Sequence, residues 1–164
     1  MVAEVIVAEV MDALAWIEAA GPVAALRRSQ YVYALVSAVH ILGLGLLVGS
    51  IAVVDLRVAG ILRPALWREG IAELVPLARA GFGLAAVTGI VLFSTQATEY
   101  ARNPAFLTKL GLIALALANV AAFHAALRRH PAAGRPDARL RAGAWGSLTL
   151  WTGTVLAGRL IGFL

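Results

Sequence analysis

The chain is expected to be all-α: an integral membrane four-helix bundle with an N-terminal amphipathic helix lying at the interface. Three observations lead there. Hydrophobic residues make up 61% of the 164 and charged residues only 14%, more apolar surface than a soluble domain of this length can cover. Four apolar runs are each long enough for a helix to cross about 30 Å of hydrocarbon. The basic residues punctuate those runs and do not cluster with aromatics. The net charge of +5 therefore fits membrane orientation and predicts no nucleic-acid partner.

The elements follow in order. Over residues 1–20, Val2, Ile6, Val10, Leu14 and Ile17 recur at near-helical spacing. That spacing predicts an amphipathic helix at the membrane surface, or equally a cap on the bundle or a contact to another subunit. Glu4, Glu9, Asp12 and Glu18, with no basic start and no small-residue cleavage pattern, argue against a signal peptide. The first span covers about 29–55, and its stretch Ser29 to Val54 holds 26 residues without one Asp, Glu, Lys or Arg. The second, about 76–98, includes 19 uncharged residues from Ala80 to Thr98. The third, about 104–127, contains two ionisable groups, Lys109 and His124. The fourth, about 141–163, is uncharged from Ala142 to Gly158. The whole of 1–164 reads as one membrane domain.

Loop charge sets the orientation. The segments after the first and third spans hold nine arginines, Arg57, Arg63, Arg68 and Arg79, then Arg128, Arg129, Arg135, Arg139 and Arg141. The opposite side holds four, Arg27, Arg28, Arg102 and Arg159. Both termini are therefore expected outside the cytoplasm. The alanine- and arginine-rich composition suits a bacterial inner membrane, with the termini periplasmic. There is no cysteine, which excludes disulfides, thiolate metal sites and thioether-linked haem.

Lipid gives helices no hydrophobic reason to associate, so small residues mark their interfaces. Gly45 with Gly49, the ladder Gly81, Ala85 and Gly89, and Gly158 with Gly162 have that spacing. Gly43 or Gly49, one and two or three turns beyond His40, either packs a helix closely or leaves room for a flat macrocycle.

His40 is the most informative residue. It is the one titratable imidazole in the first span, and such a group at that depth faces a protein interior as ligand, proton carrier or ion partner. Tyr33, Ser37 and His40 fall at i, i+4 and i+7, a polar stripe on one face. Asp55 lies within about 60° of that face and is expected to pair with Arg57, Arg63 or Arg79.

Depth selects a partner for His40. Arg57 and Arg128 mark matching ends of the first and third spans. His40 is 17 residues from Arg57, Lys109 is 19 from Arg128, and His124 is 4 from Arg128. At about 1.5 Å per residue, His40 and Lys109 differ in depth by roughly 3 Å, and His40 and His124 by roughly 20 Å. Lys109 either ligates, which requires a deprotonated amine, or snorkels back to the outer surface. His124, one turn above Arg128, is the second choice of ligand or simply meets headgroups. His130, followed by proline in a basic loop, is given no role.

The run VHILGLGLLVGSIAVVDLRVAG, with NPAFLTKLGLIALALANVAAFH later, resembles an uncharacterised family of small four-span bacterial membrane proteins. Over residues 31–128 it also looks distantly like the HemJ-type protoporphyrinogen oxidases and the CopD-type copper-resistance membrane proteins. The shared elements are a His early in one span, a Gly-rich series after it, and a Lys opening a later span. His40 and Lys109 match the HemJ-type haem ligands, so the resemblance implies a b-type haem between the first and third spans. Asn119 is similar to an asparagine of the CopD-type span. Leu47 or Val48 stands where these proteins often carry a tryptophan, a departure that bears on both oxidase and copper chemistry.

The leading expectation is thus a haem b-binding membrane protein engaged in electron transfer, with a quinone or other membrane redox partner. His40 and Lys109 would ligate the iron, with Tyr33, Ser37 and Gly43 lining the site. A haem-dependent membrane oxidoreductase is compatible with this, although no catalytic pair of carboxylates or activated nucleophile is evident. Alternatives are a metal-ion or small-solute transport protein of copper-resistance type, or a structural subunit of a homo-oligomer or larger complex.

Overall fold

The computed structural model describes residues 1–131 and 134–163. It is all-helical: seven α-helices and two short 3-10 turns, with no strand among the described residues. The order is α1 (Val2–Ala19), α2 (Gly21–Arg28), α3 (Gln30–Ala59), α4 (Trp67–Ser94), α5 (Ala97–Arg102), α6 (Pro104–Arg129) and α7 (Ala138–Leu160).

Local chemistry sets most boundaries. Ser29 opens α3 by accepting from the Val32 amide. Gly60 closes it in the left-handed region at φ 91°, where glycine has no Cβ penalty. Asn103 Oδ1 caps α6 through the Ala105 and Phe106 amides at 2.9 and 3.2 Å, with Pro104 in the first turn, where its missing N–H is harmless. Asp137 caps α7 through the Leu140 amide at 2.9 Å.

Three stretches are long and apolar enough to cross a membrane: Gln30–Ala59, Pro64–Ser94 and Pro104–Arg129, with mean hydropathies of 2.1, 1.7 and 2.0. α7 has 23 residues, but Gly143, Gly146, Ser147, Thr149, Thr152 and Thr154 dilute its hydropathy. Leu42, Ile90 and Ile41 are 68, 68 and 64% exposed, a surface that water would disfavour.

The second long helix departs from its expected range. It begins at Trp67, nine residues before the expected start at 76, and runs through Pro76. Packing explains this. Trp67 is buried and Ile71 and Leu74 lie against Val54, Val58, Leu140 and Ala144, so the first turns are held from outside. Pro76 is exposed, and the carbonyl it leaves without a helical donor, that of Ala72, belongs to an exposed residue too. At its other end α4 stops at Ser94, and residues 97–102 form the separate helix α5.

α3 packs along α4 and α7, and α6 packs along α7. At the α3–α4 crossing the backbones touch. A Cβ at Gly43 would meet Ala85 N at 2.9 Å, and one at Gly81 would meet Leu47 N at 2.5 Å. The expected Gly45–Gly49 interface does not form within the chain, because nothing lies within 4 Å of a Cβ at either position. The buried stripe of α3 runs instead through Gly43, Leu47, Ser50, Val54 and Val58, a helical phase that turns Gly45 and Gly49 away.

α1 is docked at its C-terminal end. Glu18 Oε1 accepts from the Thr98 amide at 2.6 Å and the Thr98 hydroxyl at 2.8 Å, which satisfies an orphan donor in the first turn of α5. Its apolar residues Val2, Ile6 and Trp16 stay exposed.

Candidate functional site

Two polar groupings lie at different levels of the helix assembly. The first surrounds His40. Its Nδ1 is 3.0 Å from the Thr88 hydroxyl on α4. Thr88 in turn donates to the Leu84 carbonyl at 2.6 Å, so its oxygen is left to accept, and His40 takes the role of donor at Nδ1. A neutral imidazole in that tautomer keeps its lone pair on Nε2. Gly89 makes room for the ring, since a Cβ there would lie 3.1 Å from His40 Cε1. The expected Gly81–Ala85–Gly89 ladder thus serves two purposes: close backbone approach at its first two members, space for an imidazole at the third.

Lys109 on α6 is half-buried, and its side chain lies along Gly158 of α7, with Nζ 3.5 Å from where a Cβ would be. It is within electrostatic reach of His40. Ser37 is half-buried and Tyr33 is exposed. Gly43 belongs elsewhere: the room it leaves is filled by the backbone of Ala85 and Gly81, so it serves helix packing and leaves no space there for a macrocycle.

An aromatic stack closes this level. Phe93 of α4, Tyr100 of α5 and Phe106 of α6 stack on one another with ring centroids 5.3 to 6.2 Å apart. They tie α4 to the start of α6 one turn before Lys109. Tyr100 neighbours Tyr33 of α3; burial first, then Tyr33 and Glu99, hold its hydroxyl above the ordinary tyrosine range.

The second grouping surrounds a cavity of about 440 Å3 bounded by α3, α4, α6 and α7. Its walls are largely apolar, with Leu47, Phe82, Val120 and Phe123 among them, and its polar members include Asp55, Asn119, Ser147 and Trp151. Asp55 is 5% exposed and Trp151 3%. Asp55 has Ser147 as a hydrogen-bonding neighbour, yet its Oδ2 has no partner, and neither does Trp151 Nε1. Leaving a buried polar atom unpaired costs about 1–3 kcal/mol.

The expected pairing of Asp55 with an arginine is corrected. Among the described residues the one ion pair joins the N-terminus to Glu4. Arg57 lies over Gly70 and donates to the Leu66 carbonyl at 3.3 Å, because two residues along α3 turn it to the opposite side of the helix from Asp55. Arg79 and Arg128 line the cavity. His124 lines it too, half-buried, with Nδ1 2.8 Å from the Val120 carbonyl. Its ring therefore donates within its own helix.

This end is closed by the segment between α6 and α7. Trp67 Nε1 donates to the Gly134 carbonyl at 3.3 Å, and Arg68 bonds His130 Nδ1 at 3.3 Å and the Pro131 carbonyl. His130 also meets the Trp67 ring edge-on at 5.7 Å. Sequence reading missed the roles of Ser147 and Trp151. Their i, i+4 spacing on one face of the fourth apolar run was the available signal.

Comparison of the chain with protein-family profiles, curated proteins and solved structures finds no match.

Proposed function

We propose that this is a four-span protein of the bacterial inner membrane, with both termini periplasmic, that holds a b-type haem between its first and third spans and passes electrons to a membrane redox partner such as a quinone. α7 is the fourth span: its 23 residues reach about 35 Å, and it lies against both α3 and α6. The exposed apolar residues of α1 suit the membrane surface.

His40 and Lys109 would hold the haem iron. The observation that carries this reading is the 3.0 Å contact between His40 Nδ1 and Thr88, the outer hydrogen bond that orients a ligating imidazole and leaves Nε2 free for iron. Lys109 supplies an amine from another helix at the same level. The donor set also fits: a porphyrin brings its own equatorial nitrogens and asks the protein for axial ligands alone.

When bound, the haem supplies one-electron chemistry. The chain fixes the imidazole tautomer through Thr88, makes space for the ring at Gly89, and excludes water with the Phe93–Tyr100–Phe106 stack. The test is an absorbance spectrum of protein purified in detergent after expression with added haem precursor. A Soret band that His40→Ala abolishes and His124→Ala retains supports the reading. Protein without a Soret band sinks it.

A further inference from the structure

We infer that the cavity between α3, α4, α6 and α7 binds a membrane-soluble molecule through a neutral aromatic hydroxyl, the head of a quinol or a related phenol. The two orphan atoms define the chemistry. Asp55 Oδ2 is an acceptor without a donor and Trp151 Nε1 a donor without an acceptor, and both residues line the cavity. They share one cavity: Ser147 neighbours the Asp55 carboxyl, and Trp151 sits one turn further on the same face of α7 and lines the same space.

One group that donates and accepts satisfies both atoms at once, and a hydroxyl does so. An ammonium would satisfy Asp55, leave the indole N–H unpaired and face Arg79 and Arg128, which line the same space. A carboxylate would satisfy the indole and meet Arg79 and Arg128, but it has no proton to donate and would leave Asp55 Oδ2 unpaired. The walls select for an apolar body, with Phe82 and Phe123 as flat surfaces for a ring. A cavity of about 440 Å3 is of the size that encloses small organic ligands. This site gives the electron-transfer reading a place for its membrane partner, but it does not depend on haem.

The test follows the four tryptophan indole N–H signals by nuclear magnetic resonance, in whole protein carrying isotope-labelled tryptophan in detergent. Trp151→Phe identifies the Trp151 signal. A decyl-substituted benzoquinol should shift that signal saturably, while decylbenzene, decylamine and decanoate should not. Asp55→Leu should weaken the quinol response at least tenfold, as expected for loss of a hydrogen bond to a carboxyl group. If Asp55→Leu fails to fold, Ser147→Ala with Trp151→Phe provides the contrast: the quinol affinity, read by calorimetry, should fall in both. No saturable shift, or an equal response to decylbenzene, overturns the inference. Preferential binding of decylamine or decanoate overturns it in favour of a cation or anion site.

Discussion

The two polar levels of this helix assembly differ in how their polar atoms are satisfied. At the His40 level each group has an assigned neighbour: Thr88 holds the imidazole, Leu84 holds Thr88, and Tyr33 meets Tyr100. What is left over is a directed lone pair on His40 and an amine on Lys109. At the Asp55 level the surplus is complementary, one unpaired acceptor and one unpaired donor beside a cavity. On the proposed reading the first arrangement would hold a haem iron, and the second asks for a molecule that hydrogen-bonds in both senses. Polar residues in apolar helices thus differ by what remains unpaired around them as much as by residue type.

The largest expected effect tests the crossing that holds both levels in place. Gly81→Ala drives a Cβ to 2.5 Å from Leu47 N and should destabilise by about 3 kcal/mol in thermal unfolding followed by helical circular dichroism. Gly45→Ala, with open space at its Cβ, should leave the transition unchanged or slightly raised. Equal effects at both positions would contradict the crossing.

Next comes the contrast between oriented and unpaired groups. Thr88→Val removes the partner of His40 while keeping shape, and should weaken haem retention at least tenfold, as loss of a ligand's outer hydrogen bond does. It should leave benzoquinol binding at Trp151 unchanged. Serine at position 88 should restore haem. A loss of both functions would mean that the two levels are not separable.

The smallest effect concerns the aromatic closure. Burial and Tyr33 hold the Tyr100 hydroxyl above its ordinary range, so the folded state favours the neutral form. The sign follows: this contribution is complete below about pH 10 and is lost as pH rises beyond it. Alkaline titration by tyrosinate absorbance should show a late-titrating group, and Tyr33→Phe should bring it to lower pH. A titration curve indifferent to Tyr33→Phe would remove Tyr33 from the closure.

The all-helical class and three long apolar helices were legible in the sequence as runs poor in charge, whereas the caps at Gly60, Asn103 and Asp137 were not singled out. The start of the second long helix was not legible, because Pro76 reads as a boundary and only the packing of Trp67, Ile71 and Leu74 overrides it. The His40 stripe was visible as spacing, but Thr88 lies 48 residues away, and periodicity carries no information about neighbours at that distance. Gly43 and Gly45 look alike in sequence; their helical phase relative to α4 makes one a contact and leaves the other open. Asp55 was expected to pair with an arginine by proximity along the chain, whereas helical phase puts Arg57 on the other side of α3, against Leu66 and Gly70.

The most direct test of the central claim is the oxidised and reduced absorbance spectrum of the purified protein beside its His40→Ala, Lys109→Ala and His124→Ala variants. A haem held by His40 and Lys109 should give a low-spin b-type spectrum that His40→Ala abolishes, that Lys109→Ala converts to high spin, and that His124→Ala leaves intact. A haem lost with His124 and kept without His40, or no haem in any of the four proteins, would contradict it.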